Sequence, residues 1–577
     1  MKGYFLLAIS CLASLQAEYE LKYYDVRKAN DYDSSYDAKP QYKNSIAEKR
    51  VILPNVKGII ISQEGDKPSS YVMKTTKGVQ IYRVMQGISQ KKREKLQKQL
   101  DANFCGKAMT LEKLTELKEE VTNFYQKNGQ ALVIVNVPEQ DVSDGVIIVT
   151  VLEARLGKVN VTGNKFFSSD WYQNNLTLQE DETISTQVVD TDVAYINSSP
   201  WRKASLVYKP GAKYGTTDVE LFVEDHRPAR IFVGVDNTGF KATNYNRLYV
   251  GFNVGHFFNY DQNLAFQYTA SPDFKKFQAY TVYYQAPLPT RDQVILFGGY
   301  SSVDVDRKDF LPTAKNHGSD WQASARYGVF IPPASNFNQS AKAGFDIKET
   351  NNDLTVSNIN YISSSYAMIF QLVGEYEASY RTKRQTFDFS GEAVVQPWHF
   401  GQSMSEYNYS TLRPDAVNQY LYVRMKAEYD WKDPETGMGL MLKGRAQFST
   451  GALLPLETFG MGGINSVRGY VERVVNVDNG FILNLEFRTP HVSPSLKLIN
   501  DDFYAVAFFD MAAGGIFNSL PSQPGSYFLA GVGPGIRYDI SNVIRARFDV
   551  GIRLTDAPFA SSTQSRVEYY FSVVGSY

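Results

Sequence analysis

The chain has 577 residues, room for several domains, since a soluble domain usually holds about 100 to 200. A net charge of -1 and a pI near 6.6 give no electrostatic footprint for a nucleic-acid partner. Aromatics make up 14% with 39 Tyr, and mean hydropathy is -0.32. These values are compatible with a membrane β-barrel, whose strands need only alternate apolar residues and whose rims carry aromatic girdles.

Met1-Lys2, an apolar run from Tyr4 to Leu15 broken by Ser10, Cys11 and Ser14, and the small residue Ala17 read as a secretory signal peptide over residues 1–17. That run is too short for an anchor helix, and no other stretch reaches the ~18 consecutive apolar residues of a spanning helix, which excludes a helical inner-membrane protein. Cys11 falls in this leader, where Ala8-Ile9-Ser10 does not fit a lipoprotein signal. Cys105, left alone, forms neither an internal disulfide nor a metal site. Residues 18–50 are rich in Tyr, Asp, Lys and Ser, with almost no aliphatic residue before Ile46. Such a segment cannot bury a core and reads as a flexible arm or linker.

A compact mixed domain is expected over residues 51–157. Val56 to Ile61 is a strand candidate, and Thr110 caps a helix to Lys127 whose stripe is Leu111, Leu114, Leu117, Val121 and Phe124, ended by Asn128-Gly129. Ala131 to Val137 and Val146 to Leu152 form a strand pair. A second unit follows over residues 158–227: an opening strand to Asn164, a helix from Ile184 to Ile196, then Ala204 to Tyr208 paired with Asp218 to Val223.

From residue 228 to 577 the pattern is strand after strand, with no helical segment expected between them. Leu264, Phe266 and Tyr268 share one face; Leu421, Val423, Met425, Ala427 and Tyr429 alternate with Tyr420, Tyr422, Arg424, Lys426, Glu428 and Asp430. Ile544, Ala546, Phe548, Val550 and Ile552 alternate with Arg545, Arg547, Asp549, Gly551 and Arg553. Such repetition, with charge on one face, fits a transmembrane antiparallel β-barrel of about 16 strands, apolar outside and polar within. Short links at Asn259-Tyr260-Asp261, Pro287-Leu288-Pro289 and Asp433-Pro434-Glu435 fall on one side. The long Gly-rich connection 451–480 falls on the other, as the sixth outward loop.

That loop carries Gly462-Gly463-Ile464-Asn465-Ser466-Val467-Arg468-Gly469-Tyr470, and Phe508-Phe509-Asp510 follows later. With Tyr125 to Gly129, Val137 to Gln140, Asp144-Gly145, Asn197 to Arg202, Pro210-Gly211 and Gly215 to Asp218, these segments resemble the haemolysin secretion/activation family. Its members are two-partner secretion transporters among the outer-membrane barrels that bear polypeptide-transport-associated (POTRA) domains. The resemblance makes residues 51–157 and 158–227 two periplasmic POTRA domains. It implies that the loop motif Val467, Arg468, Gly469 and Tyr470 reaches back into the lumen, where Arg468 meets an acid of the wall. Asp510 is the first candidate; Glu486 is the second, sharing a polar face with Asn484 and Arg488. It also implies a terminal signal for barrel insertion, here Phe571 and Tyr577, with Tyr577 standing where the family commonly has Phe.

Enzyme chemistry finds no support. The five His, at 226, 256, 317, 399 and 491, are scattered, with no pair at metal-ligand spacing. Gly531-Val532-Gly533-Pro534-Gly535 lacks the Lys-Ser/Thr of a phosphate loop and reads as strand glycines in a crowded lumen. Neither cofactor nor metal is expected, so the energy of transport would come from the cargo's own folding or from binding along the path. The expectation is an outer-membrane transporter whose POTRA domains take an unfolded secreted protein, of β-helical type, from the periplasm and pass it through the barrel. Lipid and the barrel-assembly machinery would be its other partners, and nucleic acid none. The alternative is an assembly factor of the same superfamily, against which two POTRA units and the Val-Arg-Gly-Tyr motif argue.

Overall fold

The computed structural model describes residues 50–577 except 67, 86, 131, 259, 307–313, 335, 357–358, 495–499, 522, 542 and 557–564. The expected leader with Cys11, and the expected arm up to residue 49, lie outside the described residues. Between His226 and Arg227 the chain divides into two compact units.

In the first unit, β1 (Val51–Leu53), β2 (Gly58–Gln63), α1 (Ser70–Thr75), β3 (Gly78–Tyr82), α2 (Gln90–Phe104), β4 (Met109–Thr110), α3 (Leu111–Lys127), β5 (Val133–Asn136) and β6 (Val146–Glu153) follow in order. The sheet order is β3-β2-β6-β5, with β2 parallel to both neighbours. A strand flanked on both sides and covered by helices reads as an unbroken apolar run, and Ile59, Ile60 and Ile61 are buried. The Thr110 hydroxyl caps α3, accepting from the Lys113 amide at 3.2 Å.

The buried ridge of α3 is Leu117, Val121 and Tyr125, with Leu114 and Phe124 only half-buried and Leu111 exposed. This corrects the expected stripe. Tyr125 can be buried because its hydroxyl donates to Glu153 at 2.7 Å. Helix α2, absent from the sequence reading, buries Leu96, Leu100 and Phe104 at a spacing of one helical turn.

The second sheet, β7 (Arg155–Thr162), β8 (Arg202–Pro210) and β9 (Thr216–Asp225), has the order β7-β9-β8, with α4 (Ser169–Asn174) and α5 (Thr186–Ile196) in the intervening chain. Arg155–Gly157, expected to close the first unit, instead open β7: Arg155 and Leu156 pair with Thr216 and Thr217, and Leu156 is buried in the second core.

In the other unit, sixteen described strands close a barrel. They are β10 (Ala229–Asp236), β11 (Arg247–Phe257), β12 (Gln262–Ala270), β13 (Phe277–Pro287), β14 (Gln293–Asp306), β15 (Ala314–Phe330), β16 (Phe337–Val356), β17 (Ile359–Arg381), β18 (Gln385–Gln396), β19 (Tyr420–Lys432), β20 (Gly439–Ser449), β23 (Asn479–Arg488), β24 (Asp501–Gly515), β25 (Ser526–Ile540), β26 (Ile544–Arg553) and β27 (Val567–Ser576). Each pairs antiparallel with the next, and β10 pairs with β27 from Phe232↔Ser576 to Asp236↔Ser572 to seal the cylinder. Beyond β27, Tyr577 still exchanges backbone hydrogen bonds with Ile231, at 2.8 and 2.9 Å. Side chains alternate as the pattern required: Leu421, Met425, Ile544, Phe548 and Ile552 face outward, while Tyr420, Tyr422 and Asp549 are buried on the inner face.

Between β20 and β23 lies a small hairpin, β21 (Phe459–Met461) with β22 (Val475–Val477). One expectation fails in the barrel half: a helix, α6 (Glu406–Leu412), stands between β18 and β19, capped by the Ser405 hydroxyl. It is two turns long and buries only Tyr409 and Leu412, too little periodicity to show in the sequence.

Two outcomes are expected. Leu485→Arg, on the lipid side of β23, should cost about 2 to 4 kcal/mol of barrel stability in vesicles, read by urea unfolding. The Cys105 thiol is pushed up to about 12, chiefly by burial and then by its bond to Asp101. Its labelling by a thiol reagent should therefore be slow at pH 8 and still rise with pH above 9, because the thiolate is the reactive form.

Candidate functional site

The loop between β20 and β23 turns into the barrel, and its tip is buried against the inner wall. Arg468 is 3% exposed and Asp510, on β24, is 0% exposed. The Arg468 side chain donates from Nε and Nη2 to the two carboxylate oxygens of Asp510, at 2.7 and 2.9 Å, and its backbone amide donates to the same group at 3.1 Å. Nη1 reaches Glu486 of β23 at 3.1 Å and lies 3.7 Å from Asp549 of β26. The guanidinium carbon sits 3.4 Å from the centroid of the Phe508 ring, which covers its flat face. Asn484 donates to Asp510 at 2.8 Å and holds the acid in place.

The acids are shared with arginines of the wall. Arg537 reaches Asp549 at 2.7 Å and Glu486 at 3.2 Å, Arg547 reaches Asp549 at 2.6 Å, and Arg488 bridges Asp430 at 2.8 Å and Glu486 at 3.7 Å. In this network the wall supplies the carboxylates of Asp430, Glu486, Asp510 and Asp549 against the guanidiniums of Arg488, Arg537 and Arg547. Arg468 brings the fourth cation. Planar forks suit such sharing, because each can bond two carboxylates at fixed angles.

The rest of the motif completes the seat. Gly469 has φ +106°, a conformation open to glycine, and its amide donates to the Tyr570 hydroxyl at 2.8 Å. That hydroxyl donates in turn to the Tyr470 carbonyl at 2.7 Å. The Tyr470 hydroxyl lies 3.0 Å from the carbonyl of Ala530 and 2.8 Å from that of Thr555. Val467 is fully buried, packed with Met461, Val477 and Leu529. The wall is cut away where the tip lies on it: a Cβ on Gly531 would overlap the Arg468 carbonyl oxygen, and one on Gly551 the Gly469 amide.

The structure thus brings Val467, Arg468, Gly469, Tyr470, Asp510 and Glu486 together. Phe571 and Tyr577 are placed elsewhere, on the outward face and at the end of the closing strand. Sequence reasoning passed over Asp549, Arg537, Arg547 and Tyr570 as partners of the loop. The signal available was strand parity, which set Arg547, Asp549 and Gly551 on the charged face of β26. The seat combines a cation, a polar clamp and steric room. Among the described residues, no group of His, Cys, Asp and Glu is arranged to hold a metal.

Comparison with known proteins gives a consistent picture. The family described as haemolysin secretion/activation protein ShlB/FhaC/HecB matches residues 215–538, and the ShlB-type POTRA domain matches residues 80–154. The chain is 22% identical over 440 residues to the heme/hemopexin transporter protein HuxB of Haemophilus influenzae (strain 86-028NP), covering 70% of this chain and 71% of that one. It is 23% identical over 466 residues to the outer membrane transporter CdiB of Escherichia coli, covering 74% of each. The solved structure of CdiB from Escherichia coli superposes with a TM-score of 0.79 over 100% of both chains at 17% identity, a likeness of fold.

A side chain at position 531 tests the seat directly. Gly531→Val should unseat the tip, making residues 462–474 sensitive to added protease while the barrel keeps its heat-modifiable mobility on gels.

Proposed function

The chain belongs to the haemolysin secretion/activation family, outer-membrane transporters of two-partner secretion with POTRA domains in the periplasm, and from that premise we propose how it moves its secreted partner. The partner reaches the POTRA units as an extended chain. In the sheet order β7-β9-β8 both β7 and β8 are edges, and in β3-β2-β6-β5 so are β3 and β5. An edge strand binds an extended peptide through backbone hydrogen bonds and tolerates many side chains, which suits a carrier of unfolded protein. The partner then passes through the barrel and folds outside, as a β-helical protein, with that folding drawing it outward. No cofactor or catalytic step is required.

The observation that carries this reading is the seated loop tip. A loop locked inside a barrel by a shared arginine gives the lumen one defined resting geometry, against which a passing chain can be guided. Phe571 and Tyr577 serve earlier, as the signal by which the barrel-assembly machinery inserts the barrel into lipid.

Removing the Arg468 side chain would leave the buried Asp510 without its cation, facing the Asn484 amide and the backbone amide of residue 468, an imbalance worth roughly 3 to 5 kcal/mol at a desolvated site. Arg468→Ala should leave the barrel inserted and cut the amount of partner released to the medium by at least about tenfold. Undiminished release would remove the loop from the transport mechanism.

A further inference from the structure

Arg468 is not the loop's sole buried charge. Glu457, just before β21, is 0% exposed, and its carboxylate lies 2.8 Å from Nζ of Lys348 on β16, itself 4% exposed. Tyr422 of β19 donates its hydroxyl to the same carboxylate, and Arg424 stands 3.7 Å away. The Glu457 carbonyl accepts from Arg424 at 2.9 Å and from Gln447 at 3.1 Å. The polarity is reversed relative to the tip: here the loop supplies the anion and the wall the cations. In the closed order, β16 is the seventh of sixteen strands and β24, which carries Asp510, the thirteenth, six strands apart. The loop is therefore fastened to two separate stretches of the wall, by an acid at one and a base at the other.

The two fastenings differ in what they leave behind. If Glu457 departs, Lys348 keeps Asp346 at 3.5 Å and Arg424 keeps the Gln447 side chain at 2.7 Å, and what is given up is the acceptor of the Tyr422 hydroxyl and the two bonds to the Glu457 carbonyl. Leu453, Leu454 and Leu456 pack beside it on Ile369, Val373 and Val394 of the wall. Such contacts are non-directional, so sliding Leu454 and Leu456 orphans no polar group, while Leu453 stays tied through its amide to Asp478 at 2.9 Å and through its carbonyl to Arg413. If Arg468 departs, Asp510 loses its cation, four wall carboxylates face three guanidiniums, and the backbone bonds of the tip are broken.

We propose that Glu457 is a positioning residue, the releasable fastening of the lumen loop, while Arg468 is the fixed one. Passage of an extended polypeptide frees residues 454–458 from the β16 and β19 wall with residues 462–470 still seated. This deepens the transport reading above and rests on it.

The test uses full-length protein in lipid vesicles with Cys11 and Cys105 replaced by Ser, and single reporters Thr458→Cys or Ser466→Cys, both at buried positions. Each is labelled with a soluble maleimide, with and without Glu457→Gln. The expected result is a rise of about tenfold or more at position 458 and no change at 466. No change at 458, or an equal rise at both, would overturn the proposal, the second by showing that Glu457 merely supports the whole loop. Should Glu457→Gln fail to insert, as judged by heat-modifiable mobility, Lys348→Met removes the other half of the pair and is read in the same way. The labelling needs no cargo, so its failure leaves the export reading standing, and an export failure leaves the labelling result interpretable.

Discussion

A guanidinium taken out of water must find carboxylates at the right height and angle, or it will not stay there. The barrel half of this protein is arranged around that requirement. Arg468 enters the lumen on a loop, takes both oxygens of Asp510, touches Glu486, and is covered by Phe508. Three wall arginines hold the remaining lone pairs of Glu486 and Asp549, so the acids are already oriented when the loop arrives. A single surface ion pair would contribute little. A shared, desolvated network fixes one geometry, and a fixed geometry is what the loop tip needs.

The same constraint explains features that look unrelated. Glycines at 531 and 551 give up side-chain packing on two wall strands so that the backbone of the tip can lie against them. Tyr570, in the closing strand, uses one hydroxyl to accept from Gly469 and donate to the Tyr470 carbonyl. The loop is thereby tied to β24, β26 and β27 at once. Because β27 also seals the barrel against β10, the seat of the tip and the closure of the cylinder share a strand. Elsewhere on the wall, Glu457 meets Lys348 and Arg424 with the charges exchanged, so the loop is held by two unlike anchors.

Much of this was legible in the sequence because a barrel strand faces two unlike surroundings. The alternation of Leu421 to Tyr429 with Tyr420 to Asp430 could be read directly, and so could the placement of the long loop after the eleventh strand. The motif Val467 to Tyr470 and Asp510 came from family resemblance; parity put Glu486 on the polar face, but Asp510 shares its parity with Tyr504, Val506 and Phe508, so its strand showed no clear charged face. Parity says which face a residue takes and not its height on a tilted wall, so Asp549 and Arg537 could not be matched to Arg468. Lys348 and Glu457 lie 109 residues apart, and nothing local links them. The stripe of α3 was read one step off because a Tyr at position 125 looks polar until its hydroxyl is seen to meet Glu153. Helix α6 is too short to leave a period.

The most direct measurement is amide hydrogen exchange at the tip in the unaltered protein. The Arg468 amide donates to Asp510 at 3.1 Å and the Gly469 amide to Tyr570 at 2.8 Å, both in the buried seat. In lipid vesicles the expected result is that a peptide covering residues 462–470 exchanges as slowly as the strands of the wall. Exchange of these amides within seconds, at the rate of an exposed loop, would show the loop lying away from the wall and would contradict the seated resting state.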